Sequence, residues 1–173
     1  MLFRSDIRNI GSGNIGATNV LRTGNKFLAA LTLVLDILKG YIPVIIAQQY
    51  FPGLIQLSCL LAFLGHVFPV WLKFKGGKGV ATYLGILIAL SYTLSILFIF
   101  TWIVVLLIFR FSSLSSMFAS FTVCVINFFR ENAIQGIDSN FDFGTDIKLL
   151  LFVFFILMIF THKKNISNLK NKT

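Results

Sequence analysis

The sequence predicts an all-α, polytopic integral membrane bundle of six spans. Three observations lead there. Of 173 residues, 57% are hydrophobic and 12% charged, against about 45–50% and about 25% in a soluble domain. Mean hydropathy is +0.87, and twenty Phe stand against a single Glu, Glu131. The apolar residues are also gathered into runs that can cross a hydrocarbon core, which takes about 20 helical residues. This composition excludes a disordered chain and argues against a water-soluble globule.

The elements follow in chain order. Met1–Asn9 carries Arg4, Asp6 and Arg8 with no apolar core behind them, which excludes a cleavable signal peptide. Phe27–Tyr50 is the first apolar run and Leu54–Leu72 the second. Phe51-Pro52-Gly53 between them is a breaker, so the two form a helical hairpin. Ala81–Phe109 is apolar for 29 residues, too long for one upright span. Ser112–Phe129 and the shorter Ile147–Thr161 follow, the latter with Lys148 able to snorkel to the interface. Cys59 and Cys124 lie inside apolar runs and read as small buried hydrophobes.

Charge decides how the long run is divided. Fifteen Lys and Arg against six Asp and Glu give +9, and membrane proteins hold such an excess on the cytoplasmic side. With Met1–Lys26 cytoplasmic and the long run turning near Ser91–Ser95, the basic groups at Arg22, Lys73, Lys75, Lys78, Arg110, Lys163 and Lys164 all fall inside. The segment Arg130–Asp146, with Glu131, Asp138, Asp142 and Asp146, falls outside. A single span there would put the basic C-terminus outside. Too little of the chain can face water for these charges to form a nucleic-acid surface. The chain thus reads as one integral membrane domain, 1–173.

Three segments on the inner face carry candidate chemistry. The first runs from Gly11 to Arg22, with Gly11, Gly13 and Gly16 matching GxGxxG. No strand precedes the match, so a dinucleotide fold is rejected. What remains is a small-residue loop whose backbone N–H groups can approach an anion. Ser12, Asn14, Thr18 and Asn19 add polar side chains, and Arg22 adds a forked charge suited to phosphate. The second segment is Gly76-Gly77-Lys78-Gly79-Val80-Ala81-Thr82, three glycines around a lysine at the start of a helix. It lacks the Walker spacing but makes an anion nest. The third begins at His162, an acid or base by its intrinsic pKa, with Asn165 three residues on.

Two further features lie within the apolar runs. Asp36 and Lys39 share one helix face at i,i+3. They read equally as a mutual ion pair or as a substrate contact. His66 is a lone span histidine, of the kind that more often bonds a neighbouring helix than enters chemistry.

These motifs resemble the bacterial acyl-phosphate:glycerol-3-phosphate acyltransferase family, PlsY. The likeness runs from Ser5 to about Leu169. GSGNIGATNVLRT is similar to the family's first motif and KFKGGKGVAT to its second, with DILKG and GHVFPVWL between them. His162, Asn165, Ile166 and Leu169 begin the third; Asn168, Asn171 and Thr173 stand where the family has Arg, Gly and Glu. The family has seven spans, one before the first motif, whereas this sequence starts directly before that motif. The expectation is that Met1 is an internal or mis-assigned start.

The resemblance implies transfer of a fatty acyl group from acyl phosphate to the sn-1 hydroxyl of glycerol 3-phosphate, giving lysophosphatidate and phosphate. It implies that Gly76, Gly77, Lys78 and Gly79 cradle the acyl phosphate. Ser12, Asn14, Thr18, Asn19 and Arg22, with Gly11 and Gly13, would hold the glycerol phosphate. His162 and Asn165 would orient the attacking hydroxyl. Ser12, Arg22, Lys78, His162 and Asn165 are the candidate catalytic residues, and Asp36, Lys39 and His66 further substrate-site candidates. No cofactor, metal or nucleic acid is expected. The expected partners are the two substrates, membrane lipid and the enzyme that produces acyl phosphate, at the cytoplasmic face of the bacterial inner membrane. A small transporter of a phosphorylated solute and an inactive truncated homologue are competing readings. The topology predicts that a reporter fused at Thr173 is active only when it is of a kind that works in the cytoplasm; activity confined to an external reporter would overturn it.

Overall fold

The computed structural model describes residues 6–129 and 145–170. The expected external acids Glu131, Asp138 and Asp142, with Arg4 and Thr173, lie outside them. Among the described residues every regular element is helical. A short helix, α1 (Ala17–Val20), precedes six longer ones: α2 (Lys26–Tyr50), α3 (Ile55–Val67), α4 (Val80–Leu90), α5 (Tyr92–Phe109), α6 (Ser112–Phe129) and α7 (Thr145–Lys170).

Local chemistry sets the boundaries. Asn25 caps α2 by accepting from the Leu28 N–H at 3.0 Å, a contact that contributes about 1 kcal/mol at a helix start. Pro52 opens the turn into α3. The long apolar run breaks at Ser91, whose backbone is extended and whose hydroxyl caps α5 at Leu94. Arg110, at φ 57°, ends α5 in the left-handed conformation.

The second run departs from a simple span. Helix α3 stops at Val67, ahead of Pro69, and Val70–Leu72 is only a tight turn. Proline cannot continue a helix, and Lys73 and Phe74 both take positive φ, folding the chain back on itself. Helix α4 is short as well: its 11 residues reach about 17 Å. Among the described residues, four stretches are long and apolar enough to cross a membrane, namely Lys26–Tyr50, Pro52–Leu72, Tyr92–Phe109 and Ser112–Phe129. Large apolar side chains such as Leu61, Phe100, Leu107 and Phe160 point away from the core, as lipid-facing residues do.

Cross-helix contacts give each helix its direction. Ser58 of α3 donates to the Pro43 carbonyl of α2 at 3.0 Å, and His66 lies by Asp36, so α2 and α3 are antiparallel. Gly40 of α2 faces Thr82 of α4, and Gln48 donates to the Ala89 carbonyl at 3.0 Å, so α2 and α4 run together. The Tyr83 ring meets Phe98 across the Ser91 break at 5.4 Å, so α5 turns back along α4. Trp102 donates to Ser116 at 3.2 Å, and Phe121 contacts Phe155, which continues the alternation through α6 and α7. The chain starts of α2 and α4, the end of α3, the start of α6 and the His162 end of α7 therefore meet at one end of the bundle.

The core is aromatic where α3, α4, α5 and α7 join. Phe154 lies 5.2 Å from Phe63 and 5.3 Å from Tyr83, centroid to centroid. Small residues bring the backbones of α2 and α4 together. A Cβ on Gly40 would sit 2.1 Å from the Thr82 carbonyl, and one on Gly85 would sit 2.0 Å from that of Ile37. Such close approach is how helices associate where no water drives them together. Gly40→Ala or Gly85→Ala is therefore expected to destabilise the bundle by about 1–3 kcal/mol through overpacking. Thermal unfolding in detergent measures this, and variants as stable as the parent would contradict it.

Candidate active site

The first loop folds around one buried side chain. Asn19, 1% exposed, donates its amide to the carbonyls of Ile7, Ile10 and Asn14 at 3.1, 3.0 and 2.7 Å. Its Oδ1 accepts from the Ser12 N–H at 3.0 Å and the Ser12 hydroxyl at 3.3 Å. Asn14 accepts from the Gly16 N–H. Asn19 and Asn14 are thus spent on shaping the loop. Gly11 and Gly13 take positive φ, 55° and 68°, where side chains are strained. A Cβ at Gly11 would also meet Arg22 Nη1 at 2.6 Å, so the arginine lies across the loop. A small cluster of Ile7, Val20 and Ala29 docks the segment on the start of α2. Thr18 and Arg22 are left exposed and Ser12 half-buried.

In the second loop, each glycine has its own reason. The Gly76 N–H donates to the Val67 carbonyl at 3.0 Å and the Gly77 N–H to that of His66 at 3.2 Å. The two N–H groups that the sequence assigns to an anion are therefore taken, because the loop folds back onto the end of α3. A Cβ on Gly76 would strike the His66 carbonyl, and one on Gly77 the His66 ring. Gly79 has φ 83° and packs on Phe63. What the segment offers an anion is the Lys78 ammonium and the first-turn N–H groups of α4, at Val80, Ala81 and Thr82, which have no carbonyl four residues back.

Helix α7 supplies the third component from one face. The Thr161 hydroxyl donates to the Lys78 carbonyl at 3.1 Å, tying the second loop to α7. His162, 1% exposed, has its Nδ1 2.8 Å from the Met158 carbonyl. A carbonyl only accepts, so Nδ1 carries the proton and Nε2 is left as an acceptor. Asn165, one turn on, donates its amide to the Ser113 hydroxyl at the start of α6. Ser113 and Thr161 are site residues that sequence reasoning missed; their only signals are a serine pair after the Arg110 turn and a hydroxyl next to His162.

Asp36 stands behind the second loop. Its Oδ1 is 3.0 Å from Lys39 Nζ and 3.5 Å from His66 Nδ1. The i,i+3 pair is thus a mutual one, and His66 bonds a neighbouring helix.

The electrostatics of the site are one-sided. Burial, with the Arg22 guanidinium close by, pushes the Lys78 ammonium down to about 8. Just beyond the apolar stretch of α7, burial and then the charge of Lys78 push His162 down to about 4, against the opposing bond to Met158. Neither Arg22 nor Lys78 meets a carboxylate among the described residues. Three basic groups from three separate segments thus converge with no acid between them, as an anion site requires.

The profile of the family described as glycerol-3-phosphate acyltransferase matches residues 1–172. The chain belongs to that family. The glycerol-3-phosphate acyltransferase of Pelagibacter ubique is 46% identical over 172 residues, covering 99% of this chain and 83% of the relative. That of Wolbachia pipientis wMel is 49% identical over 167 residues, covering 95% and 80%. The crystal structure of PlsY, an integral membrane glycerol 3-phosphate acyltransferase, in its glycerol 3-phosphate form superposes with a TM-score of 0.86 at 34% identity, covering 99% of this chain and 82% of that one. The lysophosphatidic acid form gives 0.81, covering 94% and 79%. The acyltransferase fold of the family is thus the fold of this chain, and this is a membrane enzyme.

The lowered Lys78 pKa has a signed consequence. The ammonium is charged below about 8 and loses its charge as pH rises through that value, so anion capture by the free enzyme weakens there. Acyltransferase kcat/KM is expected to fall above about pH 8, whereas kcat, which reports the anion-bound state, falls less. Lys78→Arg should move that limb to higher pH; a limb unmoved by the substitution would assign it to another group.

Proposed function

We propose that this chain transfers a fatty acyl group from acyl phosphate to the sn-1 hydroxyl of glycerol 3-phosphate, releasing lysophosphatidate and inorganic phosphate. The observation that carries this reading is the convergence of Arg22, Lys78 and His162 at the end of an apolar bundle, with no carboxylate meeting them among the described residues. Both substrates bear phosphate. Two unit charges about 4 Å apart repel by about 1 kcal/mol in water and about 4 kcal/mol at a protein surface. A site that joins them needs surplus positive charge, and one that serves a lipid tail and a polar alcohol belongs at a membrane boundary.

The geometry supports the following roles. Lys78 and the first-turn N–H groups of α4 hold the acyl phosphate and stabilise the charge that develops on it. Arg22, with the Thr18 hydroxyl and the Ser12 hydroxyl once it turns from Asn19 Oδ1, holds the glycerol phosphate, on a loop that Gly11, Gly13, Asn14 and Asn19 shape. Gly76, Gly77 and Gly79 act by letting their loop pack closely. His162 Nε2 accepts a hydrogen bond from the attacking hydroxyl, and Asn165 with Ser113 fixes that face of α7. The hydroxyl oxygen bonds to the acyl carbon while the carbon–oxygen bond to phosphate breaks. A histidine held neutral down to about pH 4 is a weak final base, so the departing phosphate takes the proton.

In this reading the chain is a single domain that crosses the bacterial inner membrane six times, with its motif loops and C-terminus cytoplasmic. There it meets acyl phosphate and the enzyme that makes it. The test is product formation from labelled glycerol 3-phosphate by purified protein in lipid, with acyl phosphate, acyl-CoA or acyl carrier protein as donor. Lysophosphatidate is expected with acyl phosphate alone, and Lys78→Ala should lower kcat by about 10²-fold or more. Product from a thioester donor instead, or none from folded protein, would overturn the donor assignment.

A further inference from the structure

The turn that follows α3 is held in a conformation its residues disfavour. Lys73 (φ 53°, ψ 43°) and Phe74 (φ 60°) are consecutive non-glycine residues in the left-handed region. That region crowds Cβ against the backbone, and a bulky residue there is an outlier. The turn closes on itself. The Lys73 N–H donates to the Val70 carbonyl at 3.0 Å, the Phe74 N–H to that of Pro69 at 3.0 Å and the Lys75 N–H to that of Leu72 at 3.1 Å. A strained conformation so firmly fixed points to a use for it.

The use is outward presentation. Val70, Trp71 and Phe74 are 70%, 78% and 61% exposed, and Lys73 and Lys75 are exposed beside them. Neither ammonium pairs with a carboxylate among the described residues. These residues lie past the end of α3, and Trp71 is next to the last residue of the apolar stretch Pro52–Leu72. Span length therefore sets them at the edge of the hydrocarbon core, at the end of the bundle that carries the site. An indole ring between lysines suits that depth, where the ring meets chain ends and the ammonium meets phosphate. The turn is also joined to the site. Gly76 directly follows Lys75; its N–H donates to the Val67 carbonyl, and an added Cβ would lie 2.5 Å from Pro69 Cδ.

We propose that residues 70–75 anchor anionic phospholipid. Trp71 and Phe74 enter the headgroup layer of the leaflet on the site side, and Lys73 and Lys75 take lipid phosphate. The occupant is the lipid of that leaflet because the patch is cationic and apolar within the same few residues. A soluble protein would have to reach aromatic side chains set at the level of the hydrocarbon edge, where lipid already competes for them. Since the turn and the glycine-rich loop share one backbone, the lipid composition of the leaflet also bears on the pose of Lys78.

Fluorescence quenching tests this. Trp71 is one of two tryptophans, so its signal is the difference between parent and Trp71→Phe, which keeps Trp102. The proteins are reconstituted in phosphatidylcholine with and without phosphatidylglycerol, one lipid at a time brominated either near the headgroup or near the chain end. The Trp71 signal is expected to be quenched more by the shallow bromine than by the deep one, and to escape iodide in pure phosphatidylcholine. Brominated phosphatidylglycerol should quench it beyond its share of the lipid. One lysine at an anionic surface contributes about fivefold to such a preference, which Lys73→Gln should lose. If Lys73→Gln does not survive extraction, high salt on the parent screens the same contact and should lower the preference. Acyltransferase activity of the parent should rise with phosphatidylglycerol, and that of Lys73→Gln should rise less. A Trp71 signal quenched by iodide like free indole overturns the anchor and leaves the patch to a soluble partner. Equal quenching by the two brominated lipids, or a preference unmoved by both Lys73→Gln and salt, overturns the choice of anionic lipid. Activity indifferent to phosphatidylglycerol while the quenching preference holds overturns the link to the loop alone. The quenching needs no turnover, so its outcome is separate from that of the acyl-donor test.

Discussion

The close contact of α2 and α4 is the constraint on which the site depends. Helix α2 carries the first loop at its start, and α4 begins at the second. How near Arg22 comes to Lys78 is set by how near the two backbones lie. Gly40 and Gly85 make that approach possible, each pressed to a carbonyl of the other helix. The same contact brings Asp36, one turn before Gly40, level with His66 and the second loop. Packing in the apolar bundle and charge at its end are consequently one problem. A methyl group between the helices would separate the two cations as well as the two backbones.

Those cations are held in an unfavourable arrangement that a bound anion would relieve. Burial disfavours the charge on Lys78, Arg22 adds to the effect, and Lys78 in turn disfavours charge on His162. Each shift reports free energy that a bound phosphate would relieve. The arrangement persists because the scaffold around it is over-determined. Asn19 bonds three carbonyls and Ser12, Thr161 bonds the Lys78 carbonyl, and Asn165 bonds Ser113. A site with slack would let the basic groups drift apart and lose affinity.

Much of this was legible in the sequence, though unevenly. The apolar runs and the Phe51-Pro52-Gly53 breaker follow from composition and turn chemistry, both local properties, and the division of the long run near Ser91–Ser95 follows from the one-sided distribution of charge. The loops that hold Arg22, Lys78 and His162 were legible as glycine-rich or polar punctuation. What the glycines do was not. Gly76 and Gly77 read as free N–H groups for an anion, yet their N–H groups bond α3 and their missing side chains make room for His66. Asn19 read as a ligand and is an internal brace. In each case the deciding fact is a contact across a loop, between residues 5 to 12 positions apart, which no periodic pattern encodes. Ser113 was invisible too, being marked only by a partner 52 residues away.

The placing of acids explains how such a site stays open. A carboxylate beside Lys78 would pair with it, restore its ordinary pKa and compete with phosphate for the same donors. Among the described residues, Asp36 is the acid that lies beside the loop, through His66. It is held instead by Lys39 and by His66, while Asp6 is spent on capping the first turn through the Arg8 N–H. Lys39 is thus more than a charge balance for a carboxylate in an apolar helix. It shares the Asp36 Oδ1 with His66 of α3, and so keeps that negative charge among side chains of α2 and α3.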